Sequence, residues 1–168
     1  VPVINGLSDK EHPCQALADL FTARELAGKI EGHTLAWIGD GNNVARSLAE
    51  GCAKLGMRFV MATPEGYRFE AEFVARLRSQ FPRFEFEVFD RPEDAVRDAL
   101  VVYTDVWTSM GQEAESEKRR RDFQAYQVNA KLMSHTQKGA VFMHCLPAHR
   151  GEEVTDEVID GPQSVVIH

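Results

Sequence analysis

Short apolar runs that alternate with helix-forming segments constrain the architecture of this chain more than any other feature. Residues 34–39, 58–62, 84–89, 100–104, 140–143 and 164–167 are rich in Val, Phe and Ile, and most lack strict polar–apolar alternation. Strands covered on both faces read this way. Between these runs, residues 42–56, 70–80, 92–99, 115–129 continuing into 130–135, and 152–160 have helical composition and spacing. Residues 12–27 form a longer helix ahead of the first strand, with Ser8 or Asp9 as its cap and Gly28 as its stop. Strand–helix alternation at this spacing implies parallel pairing through right-handed crossovers. The expected fold is therefore α/β: a doubly wound, Rossmann-like parallel sheet between two helical layers, in one domain over residues 1–168. The strand order expected is 3-2-1-4-5-6. A chain of 168 residues is long enough to bury about 70% of its unfolded surface.

In such a sheet, ligands bind beyond the carboxyl ends of the strands, where the order reverses between strands 1 and 4. The end of strand 1 delivers Asp40, Asn42 and Asn43, strand 4 delivers Asp105, and strand 5 delivers His144 and Cys145. Strands 2 and 3 end only in Thr63-Pro64-Glu65 and Asp90-Arg91-Pro92. The chemically informative residues thus gather around one crevice.

Gly39-Asp40-Gly41-Asn42-Asn43-Val44 invites a dinucleotide reading, but Val44 replaces the third glycine and no acid ends strand 2 to hold a ribose. A tight strand-to-helix turn accounts for Gly39 and Gly41 equally well. Asn43, at a helix N-terminus, offers amide donors suited to a carboxylate or phosphate. A capping role for Asn42 or Asn43 fits the same spacing. The string from Asp105 to Gly111 pairs an acid for an ammonium group with Ser109 and neighbouring amides for an anion, a receptor for the zwitterionic head of an amino acid. The plain alternative is a loop in which Trp107 and Met110 only pack. About ten residues separate strand 4 from the next helix, so residues 107–114 are expected to be mobile and able to close over a ligand. Cys145 precedes Leu146-Pro147 where the chain leaves its strand, although a lone cysteine is commonly a core residue. His12, just before Pro13, also suits a cap region. A zinc site from His12, Cys14, His144, Cys145 and His149 is possible by count but lacks the usual ligand spacings. A Cys–His hydrolase would pair Cys145 with His12 or His149, and it would need an oxyanion hole that the sequence does not locate.

A net charge of -7 argues against nucleic-acid binding. The one basic run, Lys118-Arg119-Arg120-Arg121, is flanked by Glu113, Glu115, Glu117 and Asp122 and reads as a solvated helix face. Three widely spaced cysteines without a CxxC pair suit a reducing compartment. No leader and no apolar stretch of about 18 residues is present, so a cytoplasmic location and no membrane partner are expected. The chain opens on apolar residues without Met and ends at the sixth apolar run, which reads as a domain excised from a larger protein. A natural small protein is the alternative.

His12-Pro13-Cys14-Gln15, the Asp105–Gly111 string and His144-Cys145-Leu146-Pro147 together make the chain resemble the ornithine carbamoyltransferases over essentially its whole length. The first string is shared with the aspartate relatives; the other two point to the ornithine enzymes. The resemblance implies that residues 1–168 are the ornithine-binding domain and that the carbamoyl-phosphate domain is absent from this chain. It implies L-ornithine and carbamoyl phosphate as ligands, and attack of ornithine's neutral δ-amine on the carbamoyl carbon to give citrulline and phosphate, a step of arginine metabolism. By the same resemblance, His12, Gln15, Cys145 and Leu146 meet the carbamoyl group. Asn43, Asp105, Ser109 and Met110 hold the α-carboxylate and α-ammonium. His12, Asp105 and Cys145 are the catalytic residues, with Cys145 a thiolate or a hydrogen-bond partner. No metal or organic cofactor is implied, and the assembly expected is a trimer or a multiple of it. The family's Ser-Thr-Arg-Thr phosphate loop occurs nowhere in these residues, so the chain alone is expected to be inactive. Two other readings compete: a Rossmann-type NAD-dependent oxidoreductase domain and a stand-alone amino-acid-binding module.

Overall fold

Every residue of the first strand, β1 (Thr34–Ile38), is buried, so both faces of the sheet must be covered. The computed structural model, which describes residues 1–109 and 111–167, shows how. Helix α1 (Pro13–Ala27) precedes β1, and α2 (Asn43–Leu55), β2 (Arg58–Ala62), α3 (Ala71–Gln80), β3 (Phe86–Phe89), α4 (Pro92–Val96) and β4 (Ala99–Thr104) follow. Then come α5 (Ser116–Phe123), α6 (Ala130–Met133), β5 (Val141–His144) and α7 (Asp156–Ile159). The strands pair in parallel in the order β3-β2-β1-β4-β5, as the alternating pattern predicts.

The period of two along each strand divides the core. Leu35, Trp37, Phe59, Met61, Val101, Tyr103 and Met143 face α1, α2 and α3, meeting Leu20, Leu48, Phe73 and Leu77. Ala36, Ile38, Val60, Val102 and Phe142 face the opposite layer, meeting Val96, Phe123, Leu132, Val158 and Ile159. Alternation is absent from the sequence because both sets are apolar. Among the described residues, no helix is long and apolar enough to cross a membrane.

The differences from expectation have local causes. The expected sixth strand is a single bridge: the Phe142 N–H donates to the Gln163 carbonyl at 2.7 Å and the Val165 N–H to the Phe142 carbonyl at 3.0 Å, after which the chain turns. The helix expected over 115–129 ends early because Val128 leaves it to pair with Val154. There the Val128 N–H donates to the Glu153 carbonyl at 2.8 Å and the Thr155 N–H to the Val128 carbonyl at 3.1 Å. Asn129 then starts α6 by accepting from the Leu132 N–H at 3.0 Å. The same pairing shortens the helix expected over 152–160. Neither Ser8 nor Asp9 caps α1; His12 stands at the cap position without a side-chain cap bond, and Pro13 starts the first turn. Gly28, at φ 73°, does end it.

Gly41 lies between β1 and α2, where the chain meets the 67–69 segment. Its N–H donates to the Tyr67 carbonyl at 2.8 Å. A Cβ at this position would lie 2.9 Å from that oxygen and 3.1 Å from the Phe69 nitrogen. Both neighbours are backbone and cannot swing aside. Gly41→Ala is therefore expected to destabilise the fold by about 1–3 kcal/mol, the usual range for overpacking. A urea midpoint equal to that of the parent would show that the two segments are not held this tightly.

Candidate active site

The carboxyl ends of β1, β4 and β5 open onto a cleft of about 1180 Å³. His12, Asp40, Asn42, Asn43, Asp105, Ser109, Cys145, Leu146 and His149 are among the residues that line it. Most of the residues singled out from the sequence therefore share one site. Gln15 is not among the lining residues, and Met110 lies outside the described residues.

Asp105 follows β4 and is 8% exposed. Its Oδ2 accepts from Asn42 Nδ2 at 2.7 Å and its Oδ1 from the Val106 N–H at 2.8 Å. Asn42 also caps α2, its Oδ1 accepting from the Ala45 N–H at 3.0 Å. The capping bond uses the oxygen end of the amide, so the nitrogen end must face Asp105. A residue legible only as a cap thus also orients the carboxylate.

Beside it, atoms of Asp105, His144 and Cys145 lie within 4.8 Å of one another. Burial, and then the charge of neighbouring Asp105, push the Cys145 thiol well above the ordinary range. That environment disfavours the thiolate, so it suits Cys145 as a hydrogen-bond partner better than as the activated nucleophile that a Cys–His hydrolase needs.

His144 is the last residue of β5 and turns to the opposite layer. Its Nδ1 accepts from the Leu146 N–H at 2.8 Å, so Nε2 carries the proton and faces Glu153 Oε1 at 3.3 Å. Glu153 is fully buried, and the same oxygen accepts from the His149 N–H at 2.5 Å. One imidazole and one carboxylate thus organise the 144–149 turn. They hold Leu146 at φ 58°, the one non-glycine positive φ among the described residues, a conformation that costs about 1–2 kcal/mol. Glu153 carried no sequence signal, because an acid in a predicted helix is normally solvated.

On the other rim, the His12 N–H donates to Ser47 Oγ at 2.9 Å, and His12 Nδ1 is buried without a partner among the described residues. One turn into α1, Gln15 Nε2 donates to Asp19 Oδ1 at 3.0 Å, and Tyr103 Oη donates to Asp19 Oδ2 at 2.6 Å. Burial pushes the Asp19 carboxyl up, against the lowering effect of those two hydrogen bonds. Asn43 Nδ2 donates to the Ser8 carbonyl at 2.9 Å, and its Oδ1 accepts from the Val44 N–H at 3.0 Å. Neither end of the Asn43 amide is free.

The loop after β4 is more anchored than its length suggests. Trp107 is 5% exposed and stacks on Phe123 with ring centroids 6.3 Å apart. Arg119, 4% exposed, donates from Nε to the Trp107 carbonyl and pairs through Nη2 with Asp40. The expected mobile segment thus starts at an immobilised residue. The reading of 118–121 as a solvated face also needs correction, since Arg119 is one of its residues. Further along, the Ser109 N–H donates to Gln112 Oε1 at 3.1 Å, and the Gly111 N–H to Glu113 Oε1 at 3.0 Å.

The five residues counted for zinc are not brought together: Cys14 is exposed and points its thiol at the Asn5 carbonyl, 3.5 Å away. The glycine turn does not suit a dinucleotide. The second glycine of that fingerprint lets a pyrophosphate approach the backbone. At Gly41 the 67–69 backbone fills that space.

Residues 31–168 match the family profile described as "Aspartate/ornithine carbamoyltransferase, Asp/Orn binding domain", and residues 1–25 the one described as "Aspartate/ornithine carbamoyltransferase, carbamoyl-P binding domain". An ornithine carbamoyltransferase of Symbiobacterium thermophilum is 58% identical over 168 residues, covering 99% of this chain and 54% of the relative. That of Bacillus subtilis is 55% identical over 168 residues, covering 99% of this chain and 53% of the relative. The solved ornithine carbamoyltransferase of Pyrococcus furiosus superposes with a TM-score of 0.90 at 54% identity, covering 99% of this chain and 54% of that one. The chain spans about half the length of the curated relatives it matches.

Thiol chemistry tests the electrostatics of the site. Thiolates are the reactive species, so exposed Cys14 is expected to be alkylated at least about tenfold faster at pH 8 than Cys145 or buried Cys52. Above the ordinary thiol pKa of about 8.5, the unfolded chain ionises Cys52 and Cys145 while the folded chain keeps their protons. Stability therefore falls as pH rises through that range. Mass-spectrometric labelling that modifies Cys145 as fast as Cys14 would contradict a disfavoured thiolate.

Proposed function

We propose that this chain, a member of the aspartate/ornithine carbamoyltransferase family, forms the ornithine side of a site that carbamoylates the δ-amine of L-ornithine, with carbamoyl phosphate as donor and citrulline and phosphate as products. The activity belongs to the full-length protein, since the chain spans about half of its relatives. In this reading the parallel sheet carries the amino-acid site, and the start of the chain, whose residues 1–25 match the carbamoyl-P profile, brings His12 to the rim with Gln15 one turn further along α1.

The observation that carries the reading is the oriented Asp105 carboxylate beside Cys145 at the cleft, where burial and that charge disfavour a thiolate. A carboxylate has about four acceptor sites, and Asn42 and Val106 occupy two. The remaining two suit the N–H groups of an α-ammonium. The nucleophile is a different nitrogen, and it must be neutral to attack. A thiolate at Cys145 would stabilise a protonated δ-amine and quench it; a thiol does not, and removal from water favours the uncharged amine further. Ser109 and the N-terminus of α2 are assigned to the α-carboxylate, with the Asn43 amide exchanging the Ser8 carbonyl for the substrate. Met110 completes that set by resemblance.

At the carbamoyl group, the Leu146 N–H is spent on His144, which leaves the Leu146 carbonyl to accept from the carbamoyl amide. His12, with a buried nitrogen that has no partner among the described residues, is assigned to the carbamoyl oxygen. A donor placed there stabilises the negative charge that develops as the amine attacks.

In the full-length protein, Asp105→Asn is expected to lower kcat/KM for ornithine by about 10²-fold or more, at ~1.4 kcal/mol per decade. Unchanged ornithine kinetics would remove Asp105 from the site. The 168-residue chain assayed alone is expected to form no citrulline at a useful rate, because aligning both reactants supplies much of the acceleration. Turnover comparable to that of the full-length protein would contradict the shared site.

A further inference from the structure

We propose that Asp19 is a positioning residue: from inside the fold it fixes the side-chain amide of Gln15 so that the amide oxygen is the end presented to the carbamoyl group. The inference rests on the proposed function, which is what gives Gln15 a ligand.

Asp19 is an anomaly in its helix. It lies on the buried side of α1 with Ala16, Leu20 and Ala23, and is 9% exposed. A carboxylate in such a place needs partners, and the two that hold it are both neutral: Gln15 at 3.0 Å and Tyr103 at 2.6 Å. Gln15 is four residues earlier on the same helix, so the two side chains meet across one turn. Tyr103 comes from β4, is fully buried, and stacks on Trp37 with centroids 5.4 Å apart. Its hydroxyl therefore has little freedom to follow a moving acceptor.

The donor inventory then decides which way the amide of Gln15 points. Both partners donate to Asp19 and favour its ionised form against the effect of burial; as a carboxylate it has no proton to give, so it takes the Nε2 end of the amide and excludes the flipped orientation. The amide oxygen is the end left over. It accepts hydrogen bonds, and the nitrogen of a carbamoyl group donates them. Without Asp19 both orientations of Gln15 are open, and one of them sets donor against donor.

The arrangement also registers the two halves of the site. Tyr103 lies in β4, and Asp105 follows the end of that strand two residues later. The relay from Tyr103 to Asp19 to Gln15 thus ties the helix that carries His12 to the strand that delivers Asp105.

The test uses the full-length protein with Asp19→Leu/Tyr103→Phe, which replaces the buried polar pair by apolar groups of similar shape and leaves neither partner stranded. The expected result is a drop of about tenfold in kcat/KM for carbamoyl phosphate with the ornithine KM unmoved. Adding the pair to Gln15→Ala is expected to cost nothing further, since the pair acts only through Gln15. Should that variant not fold, Tyr103→Phe alone removes one oxygen and is expected to give a smaller loss in the same parameter with the same dependence on Gln15. A loss that adds to that of Gln15→Ala, or that appears in the ornithine KM, would make the relay structural glue and overturn the proposal. If Gln15→Ala itself leaves carbamoyl phosphate kinetics unchanged, the placement of Gln15 at the carbamoyl group fails, and the positioning role fails with it.

Discussion

A parallel sheet with no wet face leaves polar side chains few places to go. β1 has no exposed residue, and the middles of β2 and β4 are buried as well. Polar groups therefore concentrate where the strands end, and the reversal of order between β1 and β4 separates those ends into a cleft. Asp40, Asn42, Asp105 and Cys145 all line that cleft. The location of the site follows from hydrophobic burial before any catalytic requirement is considered.

Behind the cleft, polar groups are held in pairs that cross between elements. Asn42 joins the start of α2 to the end of β4, His144 joins β5 to the 149–153 turn, and Arg119 joins α5 to the end of β1 and the loop after β4. Asp19 joins α1 to β4. Each bond satisfies a buried group that would be costly unpaired, and each fixes a site residue to a different part of the scaffold. Cys145 belongs to this pattern. Burial, and then the company of Asp105, push its thiol upward, and neither can be read from the cysteine alone.

Much of the site was legible in the residues, for a physical reason. Strand ends in an α/β sheet are predictable once the apolar runs are, so Asp105, Asn43 and Cys145 could be assigned to one crevice, whereas His144, expected there too, is buried against Glu153 on the opposite layer. Residues seen through a motif fared less evenly: His12 lines the cleft, whereas Gln15 is turned toward Asp19. Trp107 illustrates the limit of counting loop residues, because a long connection can still be nailed down at one end by a buried guanidinium.

Sequence alone determined the fold class, the strand order from the third strand to the fifth, and which polar residues stand at the strand ends. Those properties depend on local periodicity and on the handedness of crossovers, which are short-range. Tertiary structure decided where helices stop and which acids are structural. Val128 leaves a helix to pair with Val154, and Glu153 and Asp19 are buried by elements distant in the chain. It also decided the surroundings that disfavour the Cys145 thiolate. Burial and hydrogen-bond partners come from residues tens of positions away, and no local pattern encodes a contact made at that distance.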